Sequence, residues 1–348
     1  MPIFRPRKSW LPLRPSLEGD AGKAGWEEEL AVGLDHSDHV HEIVRRTSAA
    51  ASSPVAASWR RCMTLHGLSP DEARTPTRLS EREFRDARER SNVLIEESSA
   101  EIDRLFSTVG RAGCCLLLTD EKGIALERRG AAGDDLDFRG VGLWSGTVWS
   151  EASVGTNGIG TAIADERSVV ISRDQHFLSR NTGLSCATAP IRDHTGKLAA
   201  ALDISTCRDD ANEMTMLLLS QAVRDAAARI EAGLFRRAFS VSRILLVPVE
   251  GRTAPALLAV DRDDLVIGAT RAARQVLGLD DRKIATGVPA SDLLREPGPE
   301  EGADLDAAER AALRRVLSRA GGNVSHAAEA LGISRATLYR KMKKLSLN

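Results

Sequence analysis

Aromatic residues are scarce, 4% of 348 residues with a single tyrosine, so the cores must rest on aliphatic packing. The five cysteines, an odd number without paired spacing, argue against a disulfide framework and point to a reducing compartment. No apolar run is long enough to span a bilayer, and no apolar core follows the charged start Met1–Lys8 as in a signal peptide. The expectation is a soluble, cytoplasmic chain without membrane contact. No Gly-Lys pair is followed by Ser or Thr, which excludes the phosphate-cradling loop of P-loop ATPases. A formal net charge of −1 denies any global attraction to nucleic acid. What remains is a chain 42% hydrophobic, with length for two or three domains.

Basic charge is concentrated at one end. From Leu305 onward nine basic residues stand against three acidic ones, a local charge of +6. Within that segment, residues 321–345 read as two helices around a tight turn. Asn323 opens the first helix, and Ala327, Ala328 and Leu331 supply its small and apolar face. Gly332 permits the turn, and Ser334 caps a second helix that turns Leu338, Met342 and Leu345 inward at i, i+4, i+7. That leaves Arg335, Thr337, Arg340, Lys341, Lys343 and Lys344 outward, as a major groove flanked by phosphates requires. Arg335 suits a guanine edge, Thr337 a methyl group or a phosphate, and the lysines backbone charge. The competing reading is a solvated basic face on an ordinary terminal helix pair. Agreement of turn, cap, inner face and outer charge favours binding to double-stranded DNA.

The run GNVSHAAEALGISRATLYRKMKKL resembles the Fis-type helix-turn-helix that ends sigma-54-dependent bacterial regulators. The resemblance implies that Ser334, Arg335, Thr337 and Arg340 face DNA. It also implies that Leu313, Val316 and Leu317 lie on a preceding helix that helps to make a dimer.

Upstream, residues 1–53 read as a poorly ordered segment rich in Pro and Gly, with a charged helix start in the run His36–Glu42. Its three histidines also admit a metal reading, which lacks distant partner ligands. Residues 54–70 open the fold with a short helix. Ser80 and Glu83 form a capping box at the head of a helix running through Phe106 to Val109. Strands follow at 114–119, 124–128, 169–172, 187–192 and 198–205, and a long amphipathic helix spans 209–239. The apolar stripes of 80–109 and 209–239 could each pack against a twin.

The most distinctive run is Trp149-Ser-Glu151-Ala-Ser-Val-Gly-Thr156-Asn157-Gly158-Ile-Gly160. Its glycines allow close backbone approach, and Thr156 and Asn157 can hydrogen-bond what approaches. A dinucleotide site fails because Ile163 stands where a third small residue is needed. With His176-Phe177, Cys186-Ala-Thr-Ala-Pro-Ile and Asp203-Ile-Ser, the pattern resembles the GAF sensor of acetoin-catabolism-type activators, over 54–240. The resemblance implies a cavity for a small ketone, alcohol, diol or aromatic effector. Trp144, Trp149, Glu151, Thr156, Asn157, His176, Phe177 and Cys186 are its candidate lining residues. The competing reading makes them core and turn residues. A His176–Cys186 metal pair lacks the four ligands that zinc requires, and Cys114 and Cys115 read as buried thiols. No cofactor and no metal is expected.

Residues 241–296 resemble the first half of a PAS domain, with a two-stranded turn and a helix start near Thr270; 297–304 form a linker and 305–348 the DNA-binding domain. Regulators with this helix-turn-helix usually carry an AAA+ ATPase between sensor and DNA-binding domain, and no such domain stands there. The fold class is α+β and multidomain, ending in an all-α module. The leading function is a ligand-sensing, homodimeric transcriptional regulator without its own ATPase, acting on operator binding or RNA polymerase recruitment. An accessory DNA-binding partner of a full-length sigma-54 activator is the alternative, and a GAF-based redox enzyme is a third.

Overall fold

The structure, a computed structural model, describes residues 35–46, 53–249, 254–262, 264–294, 320–347 and individual positions between 306 and 317. It divides into two compact units, Met1–Pro289 and Ala290–Asn348. The expectations for 1–34 and for the 297–304 linker fall outside the described residues.

The centre of the first unit is a five-stranded antiparallel sheet of β2 (Cys114–Asp120), β3 (Ala125–Arg129), β5 (Val169–Ser172), β6 (Ser185–Arg192) and β7 (Leu198–Thr206). The strand order is β3-β2-β7-β6-β5. Two short strands, β1 (Thr77–Arg78) and β4 (Thr147–Val148), pair separately. Alternation along the central strands gives the sheet two unlike faces. One carries Leu116, Leu118, Ala189, Leu202 and Ile204, packed under helices α4 (Asn92–Val109) and α8 (Glu213–Ala238). The other carries Cys115, Leu117, Cys186, Thr188, Asp203 and Ser205, in rows set by the register Cys115↔Ser205↔Cys186 and Leu117↔Asp203↔Thr188. This second face is covered by α5 (Asp135–Val141), α6 (Glu151–Val154) and α7 (Gly158–Asp165), with Trp149, Ile159 and Phe177 in its core.

Within the segment before residue 54, the charged helix start expected at His36–Glu42 opens a full helix. His36–Arg45 is a helix, α1, whose Val40 is fully buried. It docks on α2 (Pro54–Thr64) because His36 and His39 present ring edges to Trp59, with centroids 6.3 and 5.8 Å apart. His36 Nε2 also meets the Phe177 carbonyl at 3.2 Å, so these histidines are packing groups.

The single helix expected over 80–109 is two. The Ser80–Glu83 capping box forms, but α3 (Glu81–Arg90) stops at Ser91, where φ −101° and ψ 14° leave helical geometry before α4 begins. Adjacent Ser91 and Asn92 offer the backbone competing local hydrogen bonds, which explains the break. The apolar stripes of α4 and α8 are spent on one another and on the sheet, with Ile102, Leu105, Leu219 and Val223 buried. Only Met214, Leu217 and Leu218 remain exposed together on α8.

A second sheet follows, ordered β10-β9-β8, from β8 (Arg243–Val247), β9 (Ala256–Val260) and β10 (Val266–Ala269). The expected turn and strand pair are β9 and β10; β8 is an additional strand. Phe235 of α8 packs against Leu257 and Ala259 of β9. Helix α9 (Arg271–Leu277) starts at Thr270, whose side chain accepts from the Ala273 N–H. Among the described residues no helix is long and apolar enough to cross a membrane.

Candidate nucleic-acid interface and sensor interior

In the second unit, α10 (Val324–Ala330) and α11 (Arg335–Lys344) meet through Ala327, Ala328, Leu338 and Leu345, all buried. Asn323 caps the first by accepting from the Ser325 and His326 N–H groups. Gly332 takes φ +65° in the turn, a backbone that side chains disfavour. Ser334 then caps α11 by accepting from the Thr337 N–H, and the two hydroxyls lie 2.8 Å apart. Leu313 of the preceding segment is buried in this same core, with Val316 and Leu317 packed against it.

The outward residues divide into two sets. Arg335, Arg340 and Lys343 are exposed and make no ion pair among the described residues. Lys341 instead pairs with Glu309, and Lys344 with Asp306 at 2.7 Å, so both are partly neutralised from the preceding segment. Thr337 is half-buried and tied to Ser334. Tyr339, 53% exposed, was not anticipated. The signal was present: 335, 339 and 343 recur at i, i+4, i+8, placing Arg, Tyr and Lys on one stripe.

The glycine-rich run of the first unit is wired inward. Glu151, 4% exposed, accepts from Arg61 Nε at 2.9 Å, from Arg61 Nη2 at 2.8 Å and from the Ser58 hydroxyl at 2.6 Å. Ser58 also lies 2.7 Å from Thr156 Oγ1, and Arg61 reaches Asp165 at 2.9 Å. The hydrogen bonds to Glu151 hold the Arg61 guanidinium well above its ordinary pKa. Asn157 caps α7 by accepting from the Gly160 N–H at 2.9 Å. Gly158 presses its backbone against Thr188, Cys186 and Asp203, and Gly160 against the Glu151 and Trp149 backbones, so neither position has room for a Cβ.

A chain of polar groups runs along the second face. Asp203 takes the hydroxyls of Thr188 and, at 2.5 Å, of Ser205; Ser205 lies 3.1 Å from the Cys186 sulfur. Cys186 is 3.5 Å from His176 Nε2, whose Nδ1 is 3.0 Å from the Arg173 carbonyl. Burial pushes Asp203 up to about 6, His176 down to about 4 and the Cys186 thiol well above its usual range. Burial likewise raises Cys114 to about 11 and Cys115 to about 12, the opposite of an activated thiolate. Asp203, Ser205 and Thr188 were missed in the sequence, although alternation puts them opposite Leu202 and Ile204.

Seven of the eight candidate lining residues are therefore interior packing or hydrogen-bonding groups: Trp149, Glu151, Thr156, Asn157, His176, Phe177 and Cys186. Trp144 is half-buried between the guanidiniums of Arg128 and Arg139, at 4.2 and 4.1 Å from its ring. Three surface grooves, of about 580, 330 and 530 Å³, are lined by other residues. The glycines of this run, suited to close approach, here approach neighbouring protein backbone and side chains.

Comparison with known proteins places these features. The family described as "Bacterial regulatory protein, Fis family" matches residues 305–345, which identifies the C-terminal segment. The acetoin catabolism regulatory protein of Cupriavidus necator is 30% identical over 71% of this chain and 39% of its own length. The propane 2-monooxygenase operon transcriptional activator MimR of Mycolicibacterium smegmatis is 29% identical over 52% of this chain and 30% of its own. The chain thus spans well under half the length of these relatives. Among solved structures, the E. coli DhaR(N)–DhaL complex aligns with a TM-score of 0.46 and 19% identity, over 65% of this chain and 76% of that one. The family "MimR, N-terminal domain" matches residues 41–232, more than half of the sequence, and the chain belongs to that family.

Proposed function

We propose that this protein is an effector-responsive transcriptional regulator that catalyses no reaction of its own. The observation that carries this reading is the pairing, in one chain, of a MimR-type N-terminal domain with a Fis-family module whose second helix exposes Arg335, Tyr339, Arg340 and Lys343. Relatives named as regulators of catabolic operons support it. The first unit is read as a GAF-type sensor, since one sheet face is sealed by α4 and α8 while the other sets the polar row Thr188, Asp203 and Ser205 among apolar residues under short helices and loops. That second face is where a small effector would bind. The sheet at 243–269 is read as PAS-like, and the operator-bound form as a homodimer. Met214, Leu217 and Leu218 are the apolar surface that α8 leaves for a twin.

Absence of a P-loop motif from all 348 residues favours a regulator that acts by occupancy or recruitment. The same observation supports a second reading, an accessory DNA-binding partner of an ATPase-bearing sigma-54 activator. Selection of binding sites from random duplexes, followed by footprinting, tests the first. A two-fold symmetric site with half-sites about one helical turn apart is expected. Recovery of no preferred sequence would leave the chain without a regulator's defining property. Binding that appears only with an activator present would favour the second reading.

A further inference from the structure

Arg128 lies on the polar face of the sheet, in register with Leu117 and hence in the row of Asp203 and Thr188. Its side chain is only 10% exposed. The guanidinium is stacked on Trp144 at 4.2 Å and lies 5.7 Å from the Phe138 ring. Nη1 is 2.8 Å from Asp135 Oδ1, an ion pair in distance although not in hydrogen-bond angle. The other two nitrogens, Nε and Nη2, are buried and have no oxygen or nitrogen partner; the side chain's hydrogen-bond contact is with the Cys115 thiol, a weak acceptor. A buried cation with free donors is costly unless something accepts from them, so an orphaned pair of this kind marks a place for a missing acceptor.

The identity of the orphaned atoms narrows that acceptor. Nε–H and Nη2–H project in parallel from one edge of the guanidinium, the edge that grips both oxygens of a carboxylate. Local charge agrees: Arg128 and Arg139 both stack on Trp144, and Asp135 is the carboxylate within ion-pair distance of Arg128. The aromatic rings of Phe138 and Trp144 and the thiol of Cys115, which hydrogen-bonds the Arg128 side chain only weakly, supply an otherwise weakly polar surround. A second fully buried side chain, Asn181, also has both amide atoms unpartnered, in the segment that covers this same face. Both Arg128 and Asn181 belong to the side of the sheet that the sensor reading assigns to the effector.

We infer that the effector of this domain is a small organic carboxylate, held through both oxygens by the Nε–Nη2 edge of Arg128 against Trp144. The inference rests on the sensor reading above and specifies its ligand chemistry. Arg128 is a binding residue and Trp144 its stacking support; the Gly155–Gly160 run has no direct part.

The test uses the full chain and a series of small acids from acetate to benzoate, each beside its primary amide and the corresponding alcohol. Binding is followed by tryptophan fluorescence and by the thermal midpoint, which a native-state ligand raises. At least one carboxylate should bind saturably and at least tenfold more tightly than its amide. Arg128→Lys keeps the charge and loses the two-pronged edge, and should weaken that carboxylate at least tenfold. The acid–amide comparison on the unaltered protein decides the matter if the variant does not fold. Equal binding of acid and amide, unchanged binding by a folded Arg128→Lys protein, or no carboxylate binding up to roughly 10 mM would each overturn the inference. Operator titrations with the uncharged compounds separate the two levels. If an alcohol or ketone binds and shifts operator affinity while the acids do not, the sensor reading stands and the carboxylate assignment falls.

Discussion

Arg61 and Glu151, ninety positions apart, meet through two hydrogen bonds of 2.8 and 2.9 Å from one guanidinium to both oxygens of one carboxylate. The pair fastens α2 to the start of the glycine-rich run. Glu151 is nearly inaccessible at 3% side-chain exposure, whereas Arg61 retains 32%. The conspicuous motif of this domain is therefore anchored by a helix that precedes it by almost a hundred residues.

Removing one partner should cost more than removing both. Arg61→Met leaves a buried Glu151 with only a hydroxyl for support, and should destabilise the domain by about 2–3 kcal/mol. Arg61→Met combined with Glu151→Met should recover a large part of that loss. Urea unfolding followed by tryptophan fluorescence measures both; an additive double variant would show that the pair is not coupled.

Close approach at Gly160 makes a second, sharper case. A Cβ there would stand 2.5 Å from the Glu151 nitrogen and 2.7 Å from the Trp149 oxygen, both backbone atoms unable to swing aside. Gly160→Ala should therefore cost about 3 kcal/mol. Gly183 has nothing within 4 Å of its ideal Cβ, so Gly183→Ala should change stability by less than about 0.5 kcal/mol. Similar midpoints for the two variants would refute the packing argument.

These glycines also show where sequence reasoning reached and where it stopped. Period-two alternation located the five strands of the central sheet to within two residues, because each strand buries at least one apolar face. Caps at Ser80, Asn323 and Ser334 were legible because an oxygen three residues ahead of a helical N–H is a local device. The run around Gly158 signalled close approach but not what approaches. Cys186, Thr188 and Asp203 lie 28 to 45 positions away, and only strand register brings them there. Arg128 was invisible for the same reason: its meaning lies in two nitrogens left without an oxygen or nitrogen partner, a property of the folded interior. Likewise, nothing in the lysine cluster indicated that Lys341 and Lys344 would find Glu309 and Asp306.

The pH dependence of stability should carry the mark of Asp203. Burial raises its folded pKa from 3.8 to about 6, so between those values the folded state holds a proton that the unfolded chain has lost. Its contribution is fully present below pH 3.8 and is lost as pH rises to about 6, a swing of about 3 kcal/mol. His176, lowered to about 4 by burial, acts with the opposite sign, its contribution failing as pH drops below 6.5. Subtracting the Asp203→Asn profile from that of the natural protein cancels His176 and the other groups. The variant should gain relative stability from pH 4 to 6 and stay level above; a flat difference would mean that Asp203 ionises normally.

DNA binding should divide the basic residues of α11 by their partners. Arg335 is exposed at the first turn, and Arg335→Ala should cost about 1–3 kcal/mol on the preferred duplex and relax base choice at one position. Lys343 is exposed and unpaired among the described residues, so Lys343→Ala should weaken all duplexes alike and reduce the slope of log affinity against log salt by about one. Lys341 must first leave Glu309, and Lys344 must leave Asp306, before either can neutralise a phosphate at full strength. Their alanine variants should therefore alter the slope less than Lys343→Ala does. Fluorescence anisotropy titrations across a range of salt concentrations provide the comparison. Equal slope changes for Lys341 and Lys343 would mean that the Glu309 pair opens on DNA, and the whole basic cluster would then count as contact surface.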